Sequence, residues 1–252
     1  MRIKIQLISD RDYITLPIHH NHIVQSMLYN NLPKEIAKFL HDIGFFYHKR
    51  QFKLFTFSKI QSQHYTLIKE NNKTKSIKYK TPISIYISSA IGDFTKNWGE
   101  TFLKNEEVML DKNTLYLESI EVLPNHDLKE EFTIKTLSPI TAYKTFENSK
   151  KYYRYYSPSE QEFKQLLKEN LRKKYQIITN KEIGDFPFEI EPITTKKVLL
   201  KYKDFPIEAY EGTFKIKTNP ELFKVVFDAG LGAKNSQGFG MIEVLNNGKK
   251  TS

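Results

Sequence analysis

The segment GLGAKNSQGFGMIEV, residues 230–244, contains four of the ten glycines in this 252-residue chain. An apolar pattern with helical spacing precedes the segment, and its last residues are typical of a strand. Gly230 is placed to end the helix in a left-handed cap. That role does not explain Gly232, Gly238 or Gly240. We therefore expect a loop whose backbone closely approaches another group, since glycine alone leaves room for such an approach.

This glycine-rich loop does not fit the nucleotide-binding patterns. A Walker phosphate loop contains G-x-x-x-x-G-K-[ST] between a strand and a helix, whereas this loop lies between a helix and a strand. A dinucleotide fingerprint needs a third glycine at a fixed offset, and Gly230 and Gly232 have none. The loop instead offers a cation and hydrogen-bonding groups, which are Lys234, Asn235, Ser236 and Gln237.

The second half of the chain has the predicted order strand, helix, strand, strand, helix, strand. Ser157–Glu160, SPSE, forms a capping box with Pro158 at the first helical position, and Asn219-Pro220 opens the second helix. The predicted strands are FTIKTLSPITAYK (132–144), two segments within 197–218, and MIEVL (241–245).

The first half has the same predicted order. Its first helix begins with Asn21 as a plausible cap, and a second short helix begins at Pro33. Another helix carries Ile91, Phe94, Trp98 and Phe102. The predicted strands are Arg2–Ile8, 52–58, 83–88 and 114–123, with an exposed hairpin or loop around 71–80.

The repeated order predicts an α+β protein of two tandem ferredoxin-like (RRM-like, βαββαβ) domains. LPNHDLKEE (123–131) lacks apolar periodicity, so we place the boundary there and predict domains 1–125 and 126–252. RNA-recognition sheets use the same topology.

Charge and composition narrow the function. The formal charge is +10 with 39 Lys and Arg, which favours a polyanionic partner, first nucleic acid and second an anionic membrane surface. The chain has no cysteine, which excludes disulfides, thiolate catalysis and cysteine-based metal sites. No apolar run approaches the roughly 20 residues of a membrane span, so we expect a cytoplasmic protein.

The ordered motifs resemble a known family. GLGAKNSQGFGMIEV resembles the C-terminal glycine-rich motif of the CRISPR repeat-RNA processing endoribonucleases of the RAMP superfamily, which are built from two ferredoxin-like domains. LPIHHNHIVQSMLYN (16–30) resembles their N-terminal pattern, and SPIT (138–141) resembles the start of their second domain. The resemblance implies cleavage of precursor CRISPR RNA within repeats, with no metal ion and no cofactor, by attack of a 2′-hydroxyl that leaves a 2′,3′-cyclic phosphate and a 5′-hydroxyl.

The resemblance also implies three catalytic residues, Tyr29, His41 and Lys53. Helical rotation of about 100° per residue points Tyr29 and His41 away from the apolar stripes of their predicted helices. Imidazole titrates near neutrality, which suits His41 to proton transfer. The sequence leaves open which of Tyr29 and His41 acts as base. It also leaves alternatives to two of the roles, with Lys49, Arg50 or Lys59 as the cation and His48 as the proton carrier.

Three further clusters of charged or aromatic residues occur in the chain. KKYYRYY (150–156) interleaves Lys150, Lys151 and Arg154 with tyrosines, which is typical either of an RNA contact or of a tyrosine-rich edge strand. His19, His20 and His22 lack the spacing and the adjacent carboxylate of a metal site, so we predict no metal. The lysines at 73, 75, 78 and 80 are interpreted as a solvated hairpin.

The leading hypothesis is a metal-independent endoribonuclease. Its N-terminal domain would carry the catalysis, and its glycine-rich loop would act as an RNA contact or a domain brace. The rival is a non-catalytic RAMP-type RNA-binding subunit, and a third possibility is an RNA-binding protein of the translation machinery. The expected partner is CRISPR repeat RNA, with a CRISPR effector complex or a homodimer as further options.

Overall fold

The computed structural model describes residues 1–124, 129–147, 151–203 and 205–245. The elements of the first half are β1 (Arg2–Ile8), β2 (Tyr13–Pro17), α1 (Asn21–Asn30), α2 (Lys34–Lys38), a π-helical turn (Phe39–Ile43), β3 (Phe45–Tyr47), β4 (Arg50–Phe52), β5 (Phe55–Phe57), β6 (Gln61–Ser62), β7 (Tyr65–Glu70), β8 (Lys73–Lys80), β9 (Ile83–Ser89), α3 (Gly92–Lys104), β10 (Val108–Leu110) and β11 (Asn113–Leu123).

The main sheet of the first half is antiparallel, with the strand order β10-β11-β1-β9-β5, and β6 also pairs with β9. Ile5 of the central strand lies opposite Ile120 on one side and Ile85 on the other. Because side chains alternate along a strand, Ile3, Ile5 and Leu7 all enter the core. Helices α1 and α3 cover this face. The buried indole of Trp98 donates a 2.8 Å hydrogen bond to the main-chain oxygen of Leu28, which joins the two helices.

Two smaller sheets extend the first half. The order β2-β8-β7 forms one of them, and β3 pairs with β4 in a short hairpin. The lysine-rich segment around 71–80 is thus the hairpin of β7 and β8, as expected. It is not wholly solvated, because Ile77 and Tyr79 are buried between its lysines.

The elements of the second half are β12 (Glu131–Thr136), β13 (Tyr143–Glu147), β14 (Lys151–Tyr155), α4 (Gln161–Thr179), β15 (Phe188–Tyr202), β16 (Phe205–Thr218), α5 (Pro220–Ala229), a 3-10 turn (Asn235–Gln237) and β17 (Ile242–Val244). Their sheet has the order β15-β16-β12-β17. Both sheets therefore follow the ferredoxin-like order, in which the first strand lies between the third and the fourth. The prediction of an α+β protein with two tandem ferredoxin-like units is confirmed. The predicted boundary at 125 and 126 lies outside the described residues and stays a prediction.

A buried arginine joins the two halves. Arg2 of β1 donates hydrogen bonds of 2.7 Å to the main-chain oxygen of Ile242 and 2.8 Å to that of Phe227. Its guanidinium also lies 3.7 Å from the ring centre of Phe227. Burial lowers the pKa of Arg2 to about 10, which leaves the guanidinium charged at neutral pH.

Two local predictions in the second half were wrong in detail. The segment 132–144 is two strands, because residues 137–142 leave the sheet and the main-chain nitrogens of Leu137 and Ser138 turn to Met241. The helix expected at Pro158 begins at Gln161. Glu160 caps the N–H of Ser157 at 2.6 Å, but this contact closes a turn before the helix.

Two further differences concern the elements around the predicted site. Asn21 is the first residue of α1 and His20 is its cap, which leaves the amide of Asn21 for a tertiary contact. The strand expected at 52–58 breaks between β4 and β5, where Leu54 adopts a left-handed backbone with φ of 55°. Lys53 lies in this break.

Candidate active site

A π-helical turn presents His41. The turn Phe39–Ile43 continues directly from α2, and Leu40 anchors it in the core. Gly44 ends the turn with φ of 62°, and a Cβ at this position would lie 2.7 Å from the main-chain oxygen of Phe52. The close approach of β4 therefore requires glycine here. The side chain of His41 is left 80% exposed. A π-helical turn of this kind is common at functional sites.

Tyr29 meets His41 although they come from different helices. The two rings stand edge to face with centres 6.5 Å apart, and Tyr29 also packs against Phe55 at 6.0 Å. Tyr29 is half-buried. Burial, and to a lesser extent Tyr202, raise the pKa of Tyr29 well above its usual value. The phenol is therefore protonated at neutral pH and can donate a hydrogen bond to a bound ligand.

Lys53 completes the group from the break between β4 and β5. Its ammonium donates a 2.9 Å hydrogen bond to the main-chain oxygen of His41. Burial lowers the pKa of Lys53, and Asp42 partly offsets this effect. Gln51 of β4 holds the same turn, with its amide 3.2 Å from the oxygen of Asp42 and 2.5 Å from that of Ile43. The structure thus brings Tyr29, His41 and Lys53 together.

Asp42 is a neighbour that the sequence interpretation did not include. Its carboxylate lies 2.7 Å from Nδ1 of His41, and this hydrogen bond lowers the pKa of Asp42. When Nδ1 is occupied as a donor, the neutral imidazole keeps Nε2 as its acceptor. The signal in the sequence was only the adjacency of a histidine and an acid.

The alternative residues have other surroundings. Lys59 forms an ion pair with Glu211 at 2.6 Å. His48 lies at the tip of the β3–β4 hairpin against Tyr47, and Lys49 is exposed beside it. Arg50 lines a cleft next to the site.

The glycine-rich loop, residues 230–240, is held by internal contacts. Gly230 has φ of 83° and ψ of 158°, so its φ is positive as expected but it does not form a left-handed helical cap. The amide of Asn235 donates to the main-chain oxygens of Leu231 at 3.2 Å and Phe239 at 3.0 Å. A Cβ on Gly240 would lie 1.9 Å from the oxygen of Leu231. Asn235 is buried and braces the loop, so for its side chain we propose this role in place of the RNA contact expected from the sequence.

The same loop docks on the first half of the chain. Asn21 donates to the main-chain oxygens of Gln237 at 2.9 Å and Gly238 at 3.2 Å. Gln25 donates to Ser236 at 2.5 Å, and Thr56 donates to Phe239 at 3.0 Å. Since Asn21 and Gln25 belong to α1, the loop is attached to the helix that carries Tyr29. Of the two roles expected for the loop, the domain brace is therefore present in the structure.

A cleft of about 440 Å³ lies between the glycine-rich loop, α4 and the β4–β5 break. Its basic side chains are Arg50, Lys53, Lys173, Lys174 and Lys234. The ammonium of Lys234 lies 5.0 Å from the ring centre of Tyr143, and burial lowers its pKa. The carboxylate in the lining, Glu169, is bound by Arg172 at 2.9 Å. The described part of the cleft is thus strongly basic.

The other loop residues predicted to contact RNA differ in where they lie. Gly230, Gly232 and Gly238 face internal neighbours, with a Cβ on Gly232 reaching 2.7 Å from Thr141. Ser236 and Gln237 line the cleft, and Oε1 of Gln237 is buried without a hydrogen-bond partner among the described residues. RNA contact by these residues stays a prediction.

The tyrosine-rich segment contains strand β14, which pairs with β13. Of the two interpretations of this segment, the strand is therefore present in the structure. Lys151 lies 3.9 Å from Glu147, and Arg154 lies 3.3 Å from Glu160 and 4.8 Å from the ring of Tyr156. Both cations are exposed. Their RNA contact stays a prediction, and Lys150 lies outside the described residues.

The three histidines near α1 have separate partners. The ring of His20 lies 2.9 Å from the main-chain oxygen of Pro17, and His19 accepts the N–H of Lys201 at 3.2 Å. His22 stands edge to face with Tyr202. Within the ranges that the structure describes, no group of three or more His, Cys, Asp or Glu side chains is arranged to hold a metal ion. Nor does any helix in those ranges meet the length and hydropathy needed to cross a membrane.

Two family models match most of the chain. The one described as CRISPR-associated protein Cas6, N-terminal, matches residues 15–121. The one described as CRISPR associated protein Cas6, C-terminal, matches residues 123–244.

Individual proteins match over almost their full length. CRISPR-associated endoribonuclease Cas6 1 of Methanocaldococcus jannaschii is 31% identical over 250 residues, which cover 96% of this chain and 92% of that protein. CRISPR-associated endoribonuclease Cas6 of Pyrococcus furiosus is 30% identical over 259 residues, which cover 98% and 91%. A solved structure titled as a Cas6-related gene from Pyrococcus furiosus has a TM-score of 0.85 at 26% identity and covers 98% of this chain and 99% of that chain.

Proposed function

Since this chain belongs to the Cas6 family of CRISPR-associated proteins, we propose that it is an endoribonuclease that processes precursor CRISPR RNA by cleavage within the repeats. The two relatives named above are endoribonucleases by name. The basic cleft and the net charge of +10 suit an RNA substrate.

The proposed reaction needs no metal ion. The 2′-hydroxyl of the ribose before the cut attacks the adjacent phosphorus, so that the 2′-oxygen–phosphorus bond forms and the bond from phosphorus to the 5′-oxygen breaks. One proton leaves the attacking hydroxyl and one reaches the departing oxygen. The products are a 2′,3′-cyclic phosphate and a 5′-hydroxyl.

The single observation that carries the proposal is the convergence of Tyr29, His41 and Lys53. We assign proton transfer to His41, because its imidazole is exposed and can both accept and donate a proton. Tyr29 donates a hydrogen bond as a neutral phenol. Lys53 supplies positive charge to the crowded phosphate of the transition state, where such charge is most effective.

The test is cleavage of repeat RNA in EDTA by the parent protein and by His41→Ala. An RNA with a 2′-deoxy sugar at the cut site is the chemical control, because it lacks the nucleophile. We expect cleavage by the parent, a loss of about 10²- to 10⁴-fold in His41→Ala, and no cleavage of the deoxy RNA. His48→Ala is the matched control variant and should cleave as the parent does.

Other outcomes contradict parts of the proposal. Cleavage that depends on Mg²⁺, or that survives the deoxy substitution, would exclude the mechanism. Tight binding of repeat RNA with no cleavage would favour the rival, a non-catalytic RNA-binding subunit. Assembly into an effector complex or a homodimer stays a prediction, which sedimentation of the purified protein with and without RNA would test.

A further inference from the structure

Lys174 is a buried cation on α4. The residue is 2% exposed. The ammonium donates to the main-chain oxygens of Gly230 at 2.7 Å and Gly232 at 3.2 Å and to the side-chain oxygen of Asn235 at 2.6 Å, and the oxygen of Ala229 is 3.5 Å away. These oxygens come from the end of α5 and from the glycine-rich loop. One lysine therefore connects α4 to the end of α5 and to the first half of the glycine-rich loop.

The oxygens around Lys174 are all neutral. Two carboxylates of the packed helices are engaged elsewhere, since Asp228 of α5 binds Lys224 at 2.5 Å and Glu169 of α4 binds Arg172 at 2.9 Å. The other charged groups of the adjoining cleft are the cations Arg50, Lys53, Lys173 and Lys234. Because burial is not offset by a carboxylate, the pKa of Lys174 falls to about 7.

Lys174 lies at the edge of the basic cleft, so its charge state can respond to a ligand bound there. Lys174 and Asn235 form part of the cleft lining, together with Lys53 of the candidate active site. An RNA phosphate in the cleft would be a negative charge close to the ammonium, in surroundings that screen charge poorly. Such a charge favours the protonated form of the lysine.

We propose that Lys174 is a positioning residue that holds the glycine-rich loop in its RNA-binding form and gains a proton when RNA occupies the cleft. The three short contacts need three N–H donors, which only the protonated amine has, so that RNA binding, protonation of Lys174 and order in the loop are one coupled equilibrium. The inference rests on the proposed function, because it takes the cleft as the place where repeat RNA binds. Lys174 acts through the loop and has no direct contact with the scissile phosphate.

The test is calorimetry of repeat RNA that carries the 2′-deoxy sugar, in two buffers that differ in ionisation enthalpy. The difference in heat gives the number of protons gained on binding. At pH 8 we expect the parent to gain close to one proton, and its affinity to fall by up to about tenfold per pH unit between pH 7 and 9. On binding RNA, Lys174→Met should gain nearly one proton less than the parent. Its RNA affinity should also depend less on pH. Lys164→Met, an exposed lysine of the same helix, is the matched control and should behave as the parent does.

A second measurement does not depend on the folding of a variant. Carbon NMR of parent protein labelled at the lysine ε-carbons should reveal one lysine that titrates near neutral pH, and its midpoint should rise when RNA is added. Hydrogen exchange in residues 230–240 should be slower with RNA.

Specific outcomes overturn the inference. Proton gain that persists in Lys174→Met but disappears in Lys173→Met would assign the effect to Lys173. The absence of a lysine with a near-neutral midpoint in the free protein would also exclude the role. A parent protein that does not bind repeat RNA would overturn the proposed function itself, which is a separate and recognisable result.

Discussion

The ammonium of Lys53 donates a 2.9 Å hydrogen bond to the main-chain oxygen of His41, twelve positions earlier in the chain. The break between β4 and β5 makes this contact possible, because the left-handed backbone of Leu54 turns the chain out of the strand. The lysine therefore supports the turn that carries His41, and in the proposed function it also supplies positive charge to the reacting phosphate. Structural support and charge stabilisation are two roles that a pair of substitutions can separate.

We expect Lys53→Ala to slow cleavage by about 10²-fold at saturating RNA, because the negative charge of the transition state loses a cation that stabilises it. Lys53→Arg should recover part of the rate, since it keeps the charge. Single-turnover kinetics measure both effects. Lys34→Ala, an exposed lysine of α2, is the control. An unchanged rate in Lys53→Ala would leave Lys53 a structural residue only.

The sheets and helices of this protein were largely predictable from the sequence. Alternation of apolar residues located β1, β9 and β11, and helical spacing located α1, α3, α4 and α5. Strand β2 was missed because it is only five residues long and ends at Pro17. The single strand expected at 132–144 failed because a tertiary contact with Met241 overrides its propensity.

The candidate site was predictable only in part. The resemblance indicated Tyr29, His41 and Lys53, and helical phase indicated that Tyr29 and His41 are free to face a ligand. Helical phase could not predict the π-helical turn at His41. Lys174 was not predictable, because a lysine in an amphipathic helix is usually solvated. Its partners lie 55 to 61 positions later in the chain and are mostly main-chain oxygens.

The contact between His41 and Asp42 predicts an orienting role for the acid. In Asp42→Asn the 2.7 Å partner of Nδ1 of His41 loses its negative charge, so the hydrogen bond is weaker and the ring is less fixed. We expect Asp42→Asn to slow cleavage roughly tenfold, since misplacement of a catalytic group is costly. RNA affinity should stay the same or rise, because a negative charge is removed. Glu35→Gln on α2 is the control, and an equal loss in both variants would contradict a specific role of Asp42.

Substitution of a glycine in the glycine-rich loop and of one in helix α3 should have opposite effects on stability. At Gly240, φ is 75° and a Cβ would lie 1.9 Å from the oxygen of Leu231. Gly240→Ala should therefore lower the free energy of unfolding by more than about 3 kcal/mol. Gly99 lies within α3 with no atom near its would-be Cβ, so Gly99→Ala should raise it by roughly 0.5–1 kcal/mol. Urea denaturation measures both, and equal effects would show that the loop relaxes around a side chain.

We expect Lys234→Ala to weaken RNA binding more than it slows cleavage of bound RNA. The ammonium of Lys234 lies over Tyr143 in the cleft and forms no ion pair among the described residues. Loss of one phosphate contact should weaken affinity by about 5- to 10-fold and reduce the salt slope by about one. Filter binding at several salt concentrations tests this with deoxy-substituted RNA, and exposed Lys217→Ala is the control. A variant that binds normally but cleaves slowly would instead move the loop into the active site.

The buried ammonium of Lys174 predicts that the free protein becomes more stable as the pH rises. Its pKa is about 7 in the folded state and 10.5 in the unfolded reference, so the unfolded chain binds more protons between these values. The free energy of unfolding should therefore rise with pH across this window, by at most about 1.4 kcal/mol per pH unit for one group. Below about pH 7 both states are protonated and this contribution is flat.

The measurement is urea denaturation without RNA at pH 6, 7.5 and 9. Lys53, Lys173 and Lys234 also have lowered pKa values. Several groups of the parent therefore make its free energy of unfolding rise with pH. Lys174→Met should have a smaller slope above pH 7, whereas Lys164→Met should keep the parent slope. RNA affinity is expected to fall over the same window in which stability rises, because RNA favours the protonated lysine and folding favours the neutral one. A parent protein whose stability falls between pH 7 and 9 in step with Lys174→Met would contradict the buried-lysine account.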